Sequence, residues 1–238
     1  MSRRLAGRIA LVTGASRGIG RAVARRFAAE GAEVVCVART QGALEELDDE
    51  IAAFGAGKAI LAPLDLTEFD RIDEMAAALF QRFGRLDVLA AVAGEIGGGL
   101  APVGHYEPKH FQRAFDVNVT ANWRLVRAFD PLLRQSASGR AMFVTSGEAR
   151  GAFPYWGAYA ASKAALEALV LTWAAEIGRI TPIRANLIDP GVVATRLRAQ
   201  AFPGEDQDKL AQPDDVTEVF VALAEESCRR HGEIVGVR

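Results

Sequence analysis

Two kinds of block alternate along the chain. Runs of five or six residues that are apolar at most positions fall at 8–13, 33–38, 58–62, 87–91, 140–145 and 183–188, as expected of strands buried on both faces of a sheet. Between them, apolar residues recur three and four apart, which predicts helices at about 20–30, 41–54, 68–83, 108–133 and 155–178. A last helix over 214–226 leads to a short strand at 233–235. Strands alternating with helices build a parallel sheet through right-handed crossovers, so the predicted fold is α/β: a Rossmann-type doubly wound parallel sheet in three α/β/α layers. A single domain over 1–238 is expected.

The breaks in the pattern carry the candidate chemistry. Gly14, Ala15, Ser16, Arg17, Gly18, Ile19 and Gly20 join the first strand to the first helix, and such a turn offers backbone N–H groups and a helix N-terminus to a phosphate. Its spacing is TGxxxGxG rather than GxGxxG. Small residues still let the backbone approach a pyrophosphate and let the helix sit close on the strand. Arg39 follows the second strand, where an acid would bind the ribose 2′-hydroxyl of NAD and an arginine would accept the 2′-phosphate of NADP. No acid stands there, and Arg17 is a second available cation. Both point to NADP (NADPH), unless they only solvate surface loops.

Asp65 follows the third strand, at the edge where ligands collect. It either binds an adenine amine or joins Thr67 in capping the next helix, the simpler reading. Gly97, Gly98 and Gly99 after the fourth strand predict a mobile loop at the same edge or, equally on composition, a linker. Asn118 sits within a long helical pattern and Ser146 at the end of the fifth strand, the latter as a catalytic group or as a cap. Pro190 and Gly191 break the sixth strand sharply, and the polar stretch at about 192–213, with Phe202-Pro203-Gly204, reads as a substrate loop.

Tyr159 and Lys163 lie four apart on the helix predicted over 155–178, and so on one face. An ammonium beside a phenol stabilises phenolate and lowers a pKa that is ordinarily about 10, which suits general acid/base work. Taken alone, YxxxK is also a common accident of a helix surface. After Lys163 this helix is apolar nearly all round, which predicts burial on more than one side, either at a dimer interface or wholly within one subunit.

Composition narrows the partners. Half the residues are hydrophobic, 24% are charged and the formal charge is −2, so neither nucleic acid nor a membrane surface is indicated. A small molecule fits better. Cys36 and Cys228 lie far apart, and His105, His110 and His231 show no metal-ligand spacing, so no disulfide framework and no metal are expected. The first apolar run is too short for a signal peptide and no stretch reaches transmembrane length, so a cytoplasmic location is expected.

In order, TGASRGIG at Thr13 to Gly20, Asp65, Asn118 within Asp116-Val117-Asn118-Val119, Ser146, YxxxK at Tyr159 and Lys163, and Pro190-Gly191 with Thr195 make the chain resemble the short-chain dehydrogenases/reductases over nearly its whole length. Ser146 precedes Tyr159 by thirteen residues, similar to the family's spacing. Trp156 to Lys163, with Phe202 to Asp206, resembles a bacterial subgroup of uncharacterised reductases. The resemblance implies hydride transfer between NADP(H) and a carbonyl or secondary alcohol. Tyr159 would be the general acid/base, and Lys163 would lower its pKa and bind the nicotinamide ribose. Ser146 would hold the carbonyl oxygen and Asn118 a relay water. It further implies cofactor contacts at Gly94, Tyr159, Lys163, Pro190, Gly191, Val193 and Thr195, and a homodimer or homotetramer.

Some positions depart from the family. Where NNAG is usual, the chain has Ala91-Val92-Ala93-Gly94, without the asparagine that would brace the sheet. Ala149 stands near a common glycine, and the sequence ends at Gly236-Val237-Arg238 without a glycine-rich tail, which implies an altered pocket or subunit contact. The changed fourth-strand motif keeps one alternative open, a catalytically idle NADP-binding sensor or scaffold.

Overall fold

The computed structural model describes residues 3–54 and 57–237 and places every predicted strand in one sheet. In chain order the strands are β1 (Ile9–Thr13), β2 (Glu33–Ala38), β3 (Lys58–Pro63), β4 (Val88–Ala91), β5 (Arg140–Val144), β6 (Arg184–Asp189) and β7 (Ile234–Gly236). The seven pair in parallel in the order β3-β2-β1-β4-β5-β6-β7. The helices are α1 (Gly18–Ala29), α2 (Gln41–Phe54), α3 (Phe69–Phe83), α4 (Pro108–Phe115), α5 (Ala121–Arg134), α6 (Gly157–Ile177), α7 (Arg196–Ala201) and α8 (Thr217–Ala224). Arg238 lies outside the described residues.

Side chains that alternate along a strand go to opposite faces, and β1 shows how this builds two cores. Ile9 and Leu11 join Leu125, Phe129, Leu166 and Val170 on the face covered by α3, α5 and α6. Ala10 and Val12 join Val23, Phe27, Leu44 and Phe220 under α1, α2 and α8. The three predicted layers are therefore present.

Strand order reverses beside β1, with β2 on one side and β4 on the other. Crossovers leave in opposite directions at such a point and open a crevice at the carboxyl ends of the strands. Thr13 pairs in register with both Val37 and Ala91, so the ends of all three strands are level there. The departure at Ala91-Val92 is met locally. Thr13 Oγ1 accepts the N–H groups of Val92 at 3.0 Å and Ala93 at 3.1 Å, tying the β4 exit to β1 without an asparagine.

The structure differs from the sequence pattern in places. The single helix expected over 108–133 is two helices joined by a π turn at Asp116–Thr120, where Asn122 Nδ2 donates to the carbonyls of Val117 and Asn118. Residues 192–213 are not loop throughout. Thr195 Oγ1 caps α7 by accepting the Arg198 N–H, and an isolated bridge joins Val193 to Ala211. The last helix begins as a 3₁₀ turn at Pro213–Val216, set by a capping box between Gln212 and Asp215. Asp65 and Thr67 do not cap α3. Asp65 Oδ1 instead accepts the Thr67 N–H and hydroxyl in a turn ahead of it.

Candidate active site

The crevice at the switch point is a cleft of about 580 Å³. All the predicted cofactor residues line it, as do Ser146, Tyr159 and Lys163. Asn118 does not line the cleft but is buried behind it.

At one end the chain turns from β1 into α1. Gly14 has φ 71° and Gly18 φ 53°, in the region that favours glycine, and a Cβ on Gly20 would stand 2.2 Å from the Gly14 carbonyl oxygen. The N-terminus of α1 has neither a side-chain cap nor an acidic residue in its first turn. Its N–H groups are therefore left to attract an anion. The exposed Arg17 and Arg39 stand near this turn, and Arg39 Nη1 lies 3.7 Å from Asp65. Asp65 is held more closely by Arg113, at 3.1 Å. These residues fit a phosphorylated dinucleotide.

At the other end lie the ends of β5 and α6. Tyr159 is 7% and Lys163 2% exposed, and both lie on the buried face of α6. Lys163 Nζ donates to the Val144 carbonyl at 2.8 Å and sits 5.6 Å from the Tyr159 ring centroid. Burial pushes Lys163 down to about 8, with the charge of Glu167 acting against the fall. The expected lowering of the Tyr159 pKa is not what this environment produces. Burial raises it, the Ser146 hydroxyl opposes the rise, and the charges of Glu148 and Asp189 add to it. Tyr159 is thus held as a phenol, the form that donates a proton.

Ser146 follows β5 and precedes a 3₁₀ turn at Gly147–Arg150, and its hydroxyl donates to the Glu148 carboxylate. The side chain of Asn118 is fully engaged. Its oxygen accepts the Glu95 N–H at 2.9 Å, and Nδ2 donates to the Glu95 carbonyl at 2.7 Å and to Ser162 Oγ at 2.9 Å. It ties the segment after β4 to α6, beside Gly94, where a Cβ would come within 3.6 Å of Lys163 Nζ.

Several groups at the site escaped the sequence reading. Arg150 bridges Glu167 on α6 and Asp189 at the end of β6, and Thr145 Oγ1 also donates to Glu167, at 2.6 Å. Glu167 falls four residues after Lys163, so helical spacing was the available signal. Arg113 lies 48 residues from Asp65, and nothing local announces that pairing. Glu148 is two residues from Ser146, but its direction depends on the 3₁₀ turn.

The family model for short chain dehydrogenases matches residues 8–206. The chain belongs to this family. Among its relatives is the uncharacterised oxidoreductase YciK of Escherichia coli (strain K12), 35% identical over 225 residues, which are 94% of this chain and 88% of that protein. A solved structure assigned to the family, from Pseudomonas syringae, superposes with a TM-score of 0.95 at 37% identity and covers 100% of this chain and 97% of its own. Another family structure, from Escherichia coli CFT073, was solved in complex with NADPH. It has a TM-score of 0.91 at 34% identity, covering 99% of this chain and 98% of its own. No helix among the described residues is long and apolar enough to cross a membrane, and no group of metal-ligating side chains occurs among them.

Proposed function

We propose that this member of the short chain dehydrogenase family is an NADP-dependent oxidoreductase acting on a carbonyl or secondary alcohol, with Tyr159 as general acid and base. The observation that carries the reading is one cleft lined by the glycine turn with Arg17 and Arg39, and by Ser146, Tyr159 and Lys163. The NADPH complex of the Escherichia coli CFT073 protein supports the choice of cofactor.

Gly14, Ser16, Gly18, Ile19 and Gly20 hold the pyrophosphate on the α1 N-terminus, and Arg17 and Arg39 hold the 2′-phosphate. Asp65, Gly94, Pro190, Gly191, Val193 and Thr195 complete the cofactor contacts. Bound nicotinamide supplies or accepts the hydride. Tyr159 gives its phenolic proton to the substrate oxygen in reduction and takes it back in oxidation, while Ser146 orients that oxygen. Lys163 places positive charge behind the phenol and favours the phenolate left after donation. Asn118 keeps the Glu95 segment and α6 in register around this pair.

The outer face of α6 exposes Ala161, Ala164 and Ala168, a flat apolar strip suited to close helix packing in a homodimer or homotetramer. Sedimentation measures that state directly, and a monomeric mass would remove this part of the proposal.

Calorimetric titration with NADPH and NADH tests the cofactor reading. Tight NADPH and weak NADH are expected. NADH preference would turn Arg17 and Arg39 into solvent-facing residues, and binding of neither would favour an idle scaffold.

A further inference from the structure

Glu148 places a carboxylate beside the reacting centre. It accepts the Ser146 hydroxyl, lines the cleft and adds its charge to the field at both Tyr159 and Arg198. Arg198 is itself taken by Glu205, at 2.5 and 2.7 Å, so Glu148 has no full ion pair of its own there. A deprotonated carboxylate has acceptor sites and no donor. The Ser146 hydroxyl uses one of them until its single proton turns to the reacting oxygen, and the half-buried side chain leaves others toward the cleft. Part of the site's lining is apolar. The Tyr159 ring packs with Ile96, Trp156 and Ala201, and the Trp156 ring lies 5.5 Å from it.

We propose that Glu148 is a specificity residue, selecting carbonyl substrates that carry a hydroxyl on the carbon next to the reacting one and an apolar group on the other side. The reacting oxygen sits at Ser146 and Tyr159, and the carboxylate touching Ser146 is within reach of a donor one carbon away. Charge points to a neutral donor rather than an ammonium, because Arg196, Arg198 and Lys163 also line the cleft. A ketone without that hydroxyl leaves the carboxylate unmatched as water is excluded, and the cost falls on its turnover.

This inference rests on the reductase reading. The test compares α-hydroxyacetophenone with α-methoxyacetophenone as NADPH-consuming substrates. The pair has similar electron withdrawal, but only the first can donate. The wild-type protein is expected to favour the hydroxy ketone by about tenfold in kcat/KM, the size of one hydrogen bond to a charged group at a part-open site. In Glu148→Ala the ratio should fall close to one, with Glu148→Gln between the two. A ratio close to one in the wild type would overturn the proposal, as would the full ratio persisting in Glu148→Ala. If Glu148 merely held Ser146 in place, both ketones would lose equally and the ratio would survive. Consumption of neither ketone by a wild-type protein that binds NADPH would overturn this inference, and failure on a wider panel of carbonyl compounds as well would overturn the reductase reading.

Discussion

Lys163 Nζ is hydrogen-bonded to the Val144 carbonyl at 2.8 Å, which pins a buried ammonium to the carboxyl end of β5. Its burial lowers its pKa from 10.5 to about 8. Below about 8 both folded and unfolded chains hold this proton, and the full cost of the buried charge is present. Between about 8 and 10.5 the unfolded chain holds more protons, so the contribution of Lys163 to stability rises with pH. Unfolding free energies of the wild type and Lys163→Met, measured over that window, should move in favour of the wild type by on the order of 3 kcal/mol. Tyr159 is present in both proteins and largely cancels. A difference that stays flat across the window would mean that Lys163 keeps its ordinary affinity for the proton.

Cofactor choice should follow the two exposed arginines. Arg39→Ala and Arg17→Ala should each weaken NADPH binding by about tenfold, the effect of losing one charge-assisted contact, and leave NADH binding nearly unchanged. Equal losses for both nucleotides would show that the substitutions disturb the turn rather than a phosphate contact.

Asn118 is fully buried, and both of its amide groups are paired. Asn118→Ala leaves the Glu95 N–H and carbonyl without these partners, at a cost of about 2–3 kcal/mol by chemical denaturation. A loss below about 0.5 kcal/mol would mean that neighbouring groups or water take over the pairing.

The sheet was legible in the sequence because parallel strands are buried on both faces and read as uninterrupted apolar runs. β2 and α2 match their predicted bounds. The helix before Ser146 was harder. Its apolar period continues through Asp116–Thr120, so the π turn depends on amide bonds made by Asn118 and Asn122 that no local pattern announces. The glycine turn and the Tyr159–Lys163 pair were visible because their spacing is local. The direction of the Tyr159 pKa was not, since burial and the charges of Glu148 and Asp189 depend on how distant segments close over the ring.

Tyr155 has φ 72°, the one positive value at a non-glycine residue among those described. It occupies the turn that leads into α6, with Pro154 before it and the Trp156 N–H donating to the Phe153 carbonyl at 3.3 Å. Its side chain is exposed, and its carbonyl accepts from Ala101 N–H and Tyr106 Oη. Tyr155→Gly keeps those backbone bonds and removes the left-handed strain, so it should stabilise the protein by up to about 1 kcal/mol in thermal unfolding. A fall in Tm would show that the exposed ring contributes more than the strain costs.

Turnover by Tyr159→Phe, measured with α-hydroxyacetophenone beside an NADPH titration of the same variant, isolates the role of the phenolic proton. A fall in kcat of about a hundredfold to ten-thousandfold with NADPH affinity retained is expected, because that proton is lost while the ring still packs against Trp156. Wild-type turnover in that variant would contradict Tyr159 as the general acid and base.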